Sequence, residues 1–303
     1  MSTPWKPAIP ITKELVVRIL QNQLPDLPLT GLCHAGSGWD HDVWRCGEVL
    51  FRFPHQEESL VLAVKHTQTL KYLSPLLPVA IPTPLYKGVS TKDYAGCFVG
   101  YRWIEGSLPA YLTLTTEDRA ALTMPLANVL RILHQLPRMT AMEWDINIPT
   151  REGELMLRSE HAQKRAEQLS DGPYANLAKQ AALIMRTVPA EVSETHYCLI
   201  HGDLHAGQLL LCTDHRLTGI IDWDELTIWD PAYDLMLVYS MLPPSSHDLF
   251  WSHYGPFEGK HRARFVALSY GLAILAQAVA EGQQELAKEA AYGLNNALSC
   301  LPI

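Results

Sequence analysis

The sequence predicts a two-lobed α+β protein, with a small β-rich N-terminal lobe over residues 1–102 and a larger, mainly helical C-terminal lobe over residues 103–303. Three observations lead there. Short apolar runs bounded by Gly and Pro occupy the first hundred residues, as strands and hairpins require. Beyond Gly106 the apolar spacing changes to three and four residues, the helical period. No repeat, linker or low-complexity stretch separates the two regions.

The elements follow in order. A helix is expected over Thr12–Gln23, then a turn-rich loop from Gly31 to Asp40 leading into a strand near Val43–Arg45. Cys46-Gly47-Glu48 reverses the chain into Val49–Phe53, closed by Pro54, which makes a hairpin. A helix over about Glu58–Leu73 is broken by Pro75, Pro78, Pro82 and Pro84, which lead to strands at Leu85–Lys87 and Gly96–Trp103. The boundary between lobes is a short hinge, Tyr101–Ile104. In the second lobe Leu122, Leu126, Val129, Leu130 and Leu133 share one helical face, Glu154–Leu169 is a polar amphipathic helix, and Phe265, Leu268, Leu272, Leu275 and Val279 recur as in a buried helix.

Composition sets the broad class. The chain has 303 residues, 48% hydrophobic and 18% charged, which is ordinary for a globular protein and excludes a disordered tail or scaffold. At this length about three quarters of the unfolded surface can be buried, so no disulfide or metal staple is needed. Six cysteines lie scattered with no C-x-x-C pair, and Met1–Pro10 lacks a leader pattern; a cytoplasmic protein is expected. The most apolar stretch, Phe265–Ala280, falls short of the roughly 20 residues a bilayer demands, so no membrane association is expected.

The net charge of −8 is unevenly spread. Residues 1–102 hold 10 Lys and Arg against 8 Asp and Glu, while residues 103–303 hold 14 against 24. A C-terminal balance of −10 repels nucleic acid and favours a cationic small-molecule substrate, although acidic surfaces also serve solubility alone. A monomer or weak dimer is expected.

The chemistry concentrates in Tyr197–Asp234. Two apolar runs, Leu209–Cys212 and Thr218–Ile221, flank a polar turn near His215, and antiparallel pairing about that centre sets residue 209 opposite 221. Gln208 then faces Asp222, and opposed side chains about 5 Å apart at Cβ can offer oxygens to one hard cation such as Mg²⁺. Asp203, five residues before Gln208, lies where a base belongs. Phosphoryl transfer asks the protein to position a hydroxyl, accept its proton and neutralise phosphate oxygens, so Asp203 is the catalytic candidate and Gln208 with Asp222 the metal pair. His201 and His205 offer a competing zinc reading, H-x-D-x-H, which needs helical spacing to serve one metal.

HGDLHAGQ followed by IIDWDE and DPAYD resembles the aminoglycoside/macrolide phosphotransferase family, relatives of the protein kinases, and the resemblance implies a protein-kinase-like fold. The family motif is H-x-D-x-x-x-x-N. The resemblance implies that Asp203 is the catalytic aspartate and that Asp222 binds metal, with Gln208 in place of the usual Asn. Glu225 after the Asp-Trp pair looks more like the macrolide branch. Upstream, Gly36, Ser37 and Gly38 resemble the loop covering the phosphates, without its third glycine. Arg52 stands where a strand Lys would contact phosphate, and Tyr101, Trp103 and Ile104 resemble the segment that hydrogen-bonds the nucleotide base. A partner for Arg52 is open between His66, Glu57 and Glu58.

The implied activity is O-phosphorylation of a small cationic natural product, macrolide first and aminoglycoside second, with Mg²⁺ and with ATP or GTP as donor. A catalytically silent nucleotide-binding module and a kinase of a housekeeping metabolite are the alternatives. Asp224 and Glu225 are candidates for the metal surroundings or for substrate contact. Asp230 reads as a helix cap, and Asp234 by resemblance as an anchor of the catalytic loop. Trp229, Trp251, Tyr254 and Phe257 either line an acceptor pocket or pack in the core.

Overall fold

The computed structural model describes residues 11–37, 41–55, 66–150 and 153–300. They fall into two compact units, one of Met1–Leu76 with Ala80–Ile104, the other of Leu77–Val79 with Glu105–Ile303.

The first unit is built on a five-stranded antiparallel sheet. Helix α1 (Lys13–Gln23) starts at Thr12, whose hydroxyl accepts the Leu15 N–H. Strands β1 (Cys33–Ser37), β2 (His41–Cys46) and β3 (Val49–Pro54) follow, then helix α2 (Thr67–Leu73) and strands β4 (Pro84–Lys87) and β5 (Val99–Arg102). The sheet order is β1-β2-β3-β5-β4. The period of two along β3 decides which side chains meet the core. Val49, Phe51 and Phe53 are buried, and Phe51 and Phe53 both pack on Phe98. Leu50 and Arg52 alternate with them and take the other face. Leu15, Val16, Ile19 and Leu20 of α1 complete this core.

The second unit is mainly helical, and the α+β, kinase-like fold class expected from the sequence is the one observed. Its helices are α3 (Thr116–Ala121), α4 (Thr123–His134), α5 (Arg138–Glu143), α6 (Glu154–Gln168), α7 (Ala175–Met185), α8 (Ala232–Met241), α9 (His247–Tyr254), α10 (Lys260–Ala280) and α11 (Gln284–Ser299). Helix α4 buries Leu126, Val129, Leu130 and Leu133, the face read from the spacing. Helix α8 is buried on nearly every side, from Ala232 through Tyr239. A helix so enclosed can hold a charge away from water, and it carries Asp234.

Helix α10 begins earlier than Phe265 and runs 21 residues, so the expectation that this stretch is too short to cross a membrane is corrected. It is the one helix among the described residues long and apolar enough to do so, and it packs within the unit against α11, α8 and α6. Its apolarity follows from that enclosure: Phe265, Leu268, Leu272 and Leu275 are all buried.

Candidate active site

Two short ladders suspend the site. Strand β6 (Cys198–Ile200) pairs antiparallel with β9 (Thr227–Trp229), and β7 (Leu209–Leu211) pairs with β8 (Leu217–Ile220). The segment 201–208 leaves β6 and enters β7, while 221–226 leaves β8 and enters β9. Both segments therefore hang between the same two ladders.

The register differs from the sequence expectation by one residue. Leu209 pairs with Ile220, not Ile221, because the reversal is centred on Asp214, one residue before His215, with Leu211 opposite Leu217, and the irregularity between Leu210 and Leu211 makes up one of the two residues of offset. The Ile221 N–H accordingly donates to the Gln208 carbonyl, 2.9 Å. A slip of one residue turns a side chain to the opposite face of a ladder. Asp222 offsets it with a left-handed backbone, φ 62°, a conformation Asp tolerates better than most residues. The result unites the three side chains: Gln208 Nε2 lies 3.4 Å from Asp203 Oδ2 and 3.4 Å from Asp222 Oδ2.

The backbone of the 201–208 segment is clamped by a buried carboxylate. Asp234, fully buried, accepts the N–H groups of His201 at 2.8 Å and Gly202 at 3.0 Å. His134 Nε2 reaches the same carboxylate at 3.1 Å, and its Nδ1 meets the Tyr254 hydroxyl at 2.8 Å. Burial pushes the Asp234 carboxyl up, but the His134 hydrogen bond and charge and the Gly202 N–H outweigh it and hold it below the ordinary carboxylate value. The loop anchor inferred for Asp234 thus has a geometry. Tyr270 adds a contact from α10, its hydroxyl donating to the Gly202 carbonyl at 3.4 Å, and burial with the neighbouring Asp203 charge keeps that phenol protonated.

His201 is spent on structure. Its Nε2 donates to the Ile221 carbonyl at 2.9 Å, its Nδ1 accepts the Asp203 N–H at 3.3 Å, and its ring packs on Trp223. With both nitrogens engaged it cannot ligate zinc, and among the described residues no group of three His, Cys, Asp or Glu is placed to hold a metal. The competing zinc reading, which the non-helical spacing already disfavours, gains no support. Gly202 has φ 90°, and a Cβ there would lie 2.2 Å from the Glu225 carbonyl oxygen, a backbone atom of the opposite loop. Gly202→Ala is expected to cost about 2 kcal/mol or more in stability, since the left-handed backbone alone costs ~1–2 kcal/mol for a residue with Cβ. Its signatures are a lowered melting midpoint and at least a tenfold loss of turnover.

The residues that the sequence resemblance assigns to the nucleotide lie in the first unit. Gly36 and Ser37 are on β1, where the Ser37 hydroxyl donates to Asp42 Oδ1 at 2.5 Å; Gly38 lies outside the described residues. Arg52 Nη2 meets His41 Nδ1 across the β2–β3 pair at 2.9 Å, a partner the sequence reading did not consider. His66 is buried at the start of α2, and Glu57 and Glu58 lie outside the described residues. Tyr101 is buried within β5. The Trp103 N–H donates to the Glu48 carbonyl at 2.8 Å. Ile104 ends the unit.

The aromatics downstream largely pack on one another: Trp251 stacks on Phe257, Tyr254 stacks on Phe250, and Trp229 lies against Tyr197. Asp230 caps through Oδ1 on the Ala232 N–H, as expected, and also forms an ion pair with Arg262 through Oδ2 at 2.7 Å. Asp224 and Glu225 sit on the 221–226 loop.

The donor set suits a hard divalent cation: two carboxylates and one carboxamide, all capable of offering oxygen, converge without a thiolate among them. Known proteins share this architecture. The GDP complex of wild-type aminoglycoside 2'-phosphotransferase-IIIa superposes with a TM-score of 0.68 at 22% identity, covering 95% of this chain and 99% of that one. Macrolide 2'-phosphotransferase MphH from Brachybacterium faecium gives 0.58 at 21% identity, covering 94% and 98%. An uncharacterized protein of Bacillus subtilis (strain 168), YcbJ, is 49% identical over 39 residues, which span 13% of each chain. The family model described as the phosphotransferase enzyme family matches residues 31–266. With that span covering more than half of its length, the chain belongs to the phosphotransferase enzyme family.

Proposed function

We propose that the protein transfers the γ-phosphoryl group of ATP or GTP to a hydroxyl of a small cationic natural product, a macrolide in the first instance and an aminoglycoside in the second. The observation that carries this reading is the convergence of Asp203, Gln208 and Asp222 within hydrogen-bonding reach. Asp203 orients the acceptor hydroxyl and takes its proton late, as a loose transition state requires. Gln208 and Asp222 would hold Mg²⁺, which when bound neutralises charge on the phosphate oxygens.

The remaining roles fall to groups in the first unit. Arg52 supplies a fixed positive charge for phosphate, with His41 holding the guanidinium in place. Gly36, Ser37 and Gly38 would cover the phosphates, and Tyr101, Trp103 and Ile104 would offer main-chain groups to the base. Support for a nucleotide donor comes from relatives in complex with GDP, one of them also with kanamycin. The balance of −10 over residues 103–303 favours an amine-bearing acceptor of either class. Glu225 beside the Asp-Trp pair tilts the choice toward a macrolide.

The test is a matrix of ATP and GTP against macrolides, aminoglycosides and small hydroxylated metabolites, read by acceptor mass. The expected result is a gain of one phosphate on an antibiotic. A gain confined to a housekeeping metabolite overturns the acceptor class and leaves the mechanism; no gain on any acceptor, with nucleotide bound, favours the silent module.

A further inference from the structure

The surroundings of Gln208 make opposite demands on its side chain. Its terminal Nε2 faces carboxylate oxygens of Asp203 and Asp222, both 3.4 Å away, which suits a donor. The same atom lies 3.3 Å from His205 Nε2. What His205 presents there is fixed by its other nitrogen, because His205 Nδ1 accepts the Gly207 N–H at 3.0 Å and so must carry a lone pair. The ring proton is then on Nε2, and a donor faces a donor.

Turning the carboxamide over resolves this contact. Oε1 then accepts the His205 Nε2–H, and an oxygen comes to stand beside two carboxylates, an arrangement stable only around a cation. Gly207 is part of the device: a Cβ at this position would lie 2.6 Å from His205 Cε1, so a side chain there would displace the ring.

We propose that His205 is a positioning residue that holds Gln208 with its carbonyl oxygen toward the divalent cation, the Gly207 N–H fixing the tautomer that does so. The inference rests on Gln208 and Asp222 being the metal pair. It gives the longer amide of this chain a defined orientation, and it assigns the second histidine of HGDLHAGQ a task other than ligation.

A carboxylate at position 208 offers oxygen whichever way it turns, so it needs no such partner. The experiment titrates Mn²⁺ into the protein saturated with GDP or ADP, read by water-proton relaxation, for His205→Ala alone and combined with Gln208→Glu. In the native background His205→Ala is expected to weaken Mn²⁺ binding about tenfold or more, the range for loss of a hydrogen-bond partner to a ligand. In the Gln208→Glu background the same change is expected to alter affinity less than about threefold. Gly207→Ala should repeat the pattern, and melting curves check that each variant is folded. Equal losses in both backgrounds, or no loss in either, overturn the positioning role while leaving the metal pair intact. Failure of the unaltered protein to bind Mn²⁺ with either nucleotide overturns the metal pair as well.

Discussion

Asp203→Asn is expected to lower kcat about 10³-fold while leaving the KM for nucleotide within a factor of about two, because a positioned general base contributes 10²–10⁴ and uniform binding is untouched. That loss corresponds to roughly 4 kcal/mol of transition-state stabilisation. Asn keeps the shape and volume of the side chain and one of its two oxygens. What it loses is the capacity to take a proton. The Asp203 main chain is held independently by its N–H on His201 Nδ1, so the substitution removes basicity and leaves the position of residue 203 fixed. The measurement is steady-state kinetics with the best acceptor found, and single-turnover burst analysis confirms that the chemical step has slowed. Turnover within tenfold of the unaltered protein would remove Asp203 from the chemistry. A binding module would have no turnover for the substitution to lose.

The sequence reading reached the hairpin, the three side chains it delivers and the β-rich first half, because each rests on local signals. Val49–Phe53 alternates visibly, and β3 forms with Val49, Phe51 and Phe53 inward. The one-residue difference in register comes from the turn centre, which falls at Asp214 rather than His215, and the irregularity after Leu210, which depends on packing that no local pattern encodes, recovers only part of the offset. The site tolerated the error because Asp222 can take a left-handed backbone. The β6–β9 ladder, which sets the two site loops side by side, joins residues nearly thirty positions apart, and short apolar triplets such as Cys198–Ile200 carry no period to announce it. Arg52 illustrates the same limit. Its guanidinium meets His41 on the neighbouring strand, a pairing that needs the β2–β3 register, while Glu57 and Glu58, two of the partners the sequence offers, lie outside the described residues. For His205 the sequence offers only a ligand's role; its contact with the Gly207 N–H becomes visible only when the loop has a shape.

Removing the Asp234 carboxylate is expected to destabilise the fold by about 3–5 kcal/mol at neutral pH, the usual cost of breaking a buried charge pair. The reason lies in what would be stranded. The His201 N–H, the Gly202 N–H and His134 Nε2 all point at this one side chain, and α8 keeps water from replacing it. Each buried donor left without an acceptor costs about 1–3 kcal/mol. Asp234→Asn keeps the volume but turns a donor toward at least one of these groups, so most of the penalty should remain. The pH dependence gives the test its sign. A carboxyl whose folded pKa lies below its unfolded one adds stability that is fully present above the unfolded value, near 3.8, and is lost as pH falls through the folded value. The gap in denaturation midpoint between the native protein and Asp234→Asn should therefore be widest above pH 5 and narrow steadily below pH 4. Turnover should fall with stability retained at low temperature, since the same N–H groups position the backbone that carries Asp203. A gap that stays constant from pH 7 to pH 3 would mean that Asp234 is not held ionised by its partners, and the clamp on the 201–208 segment would then rest on shape alone.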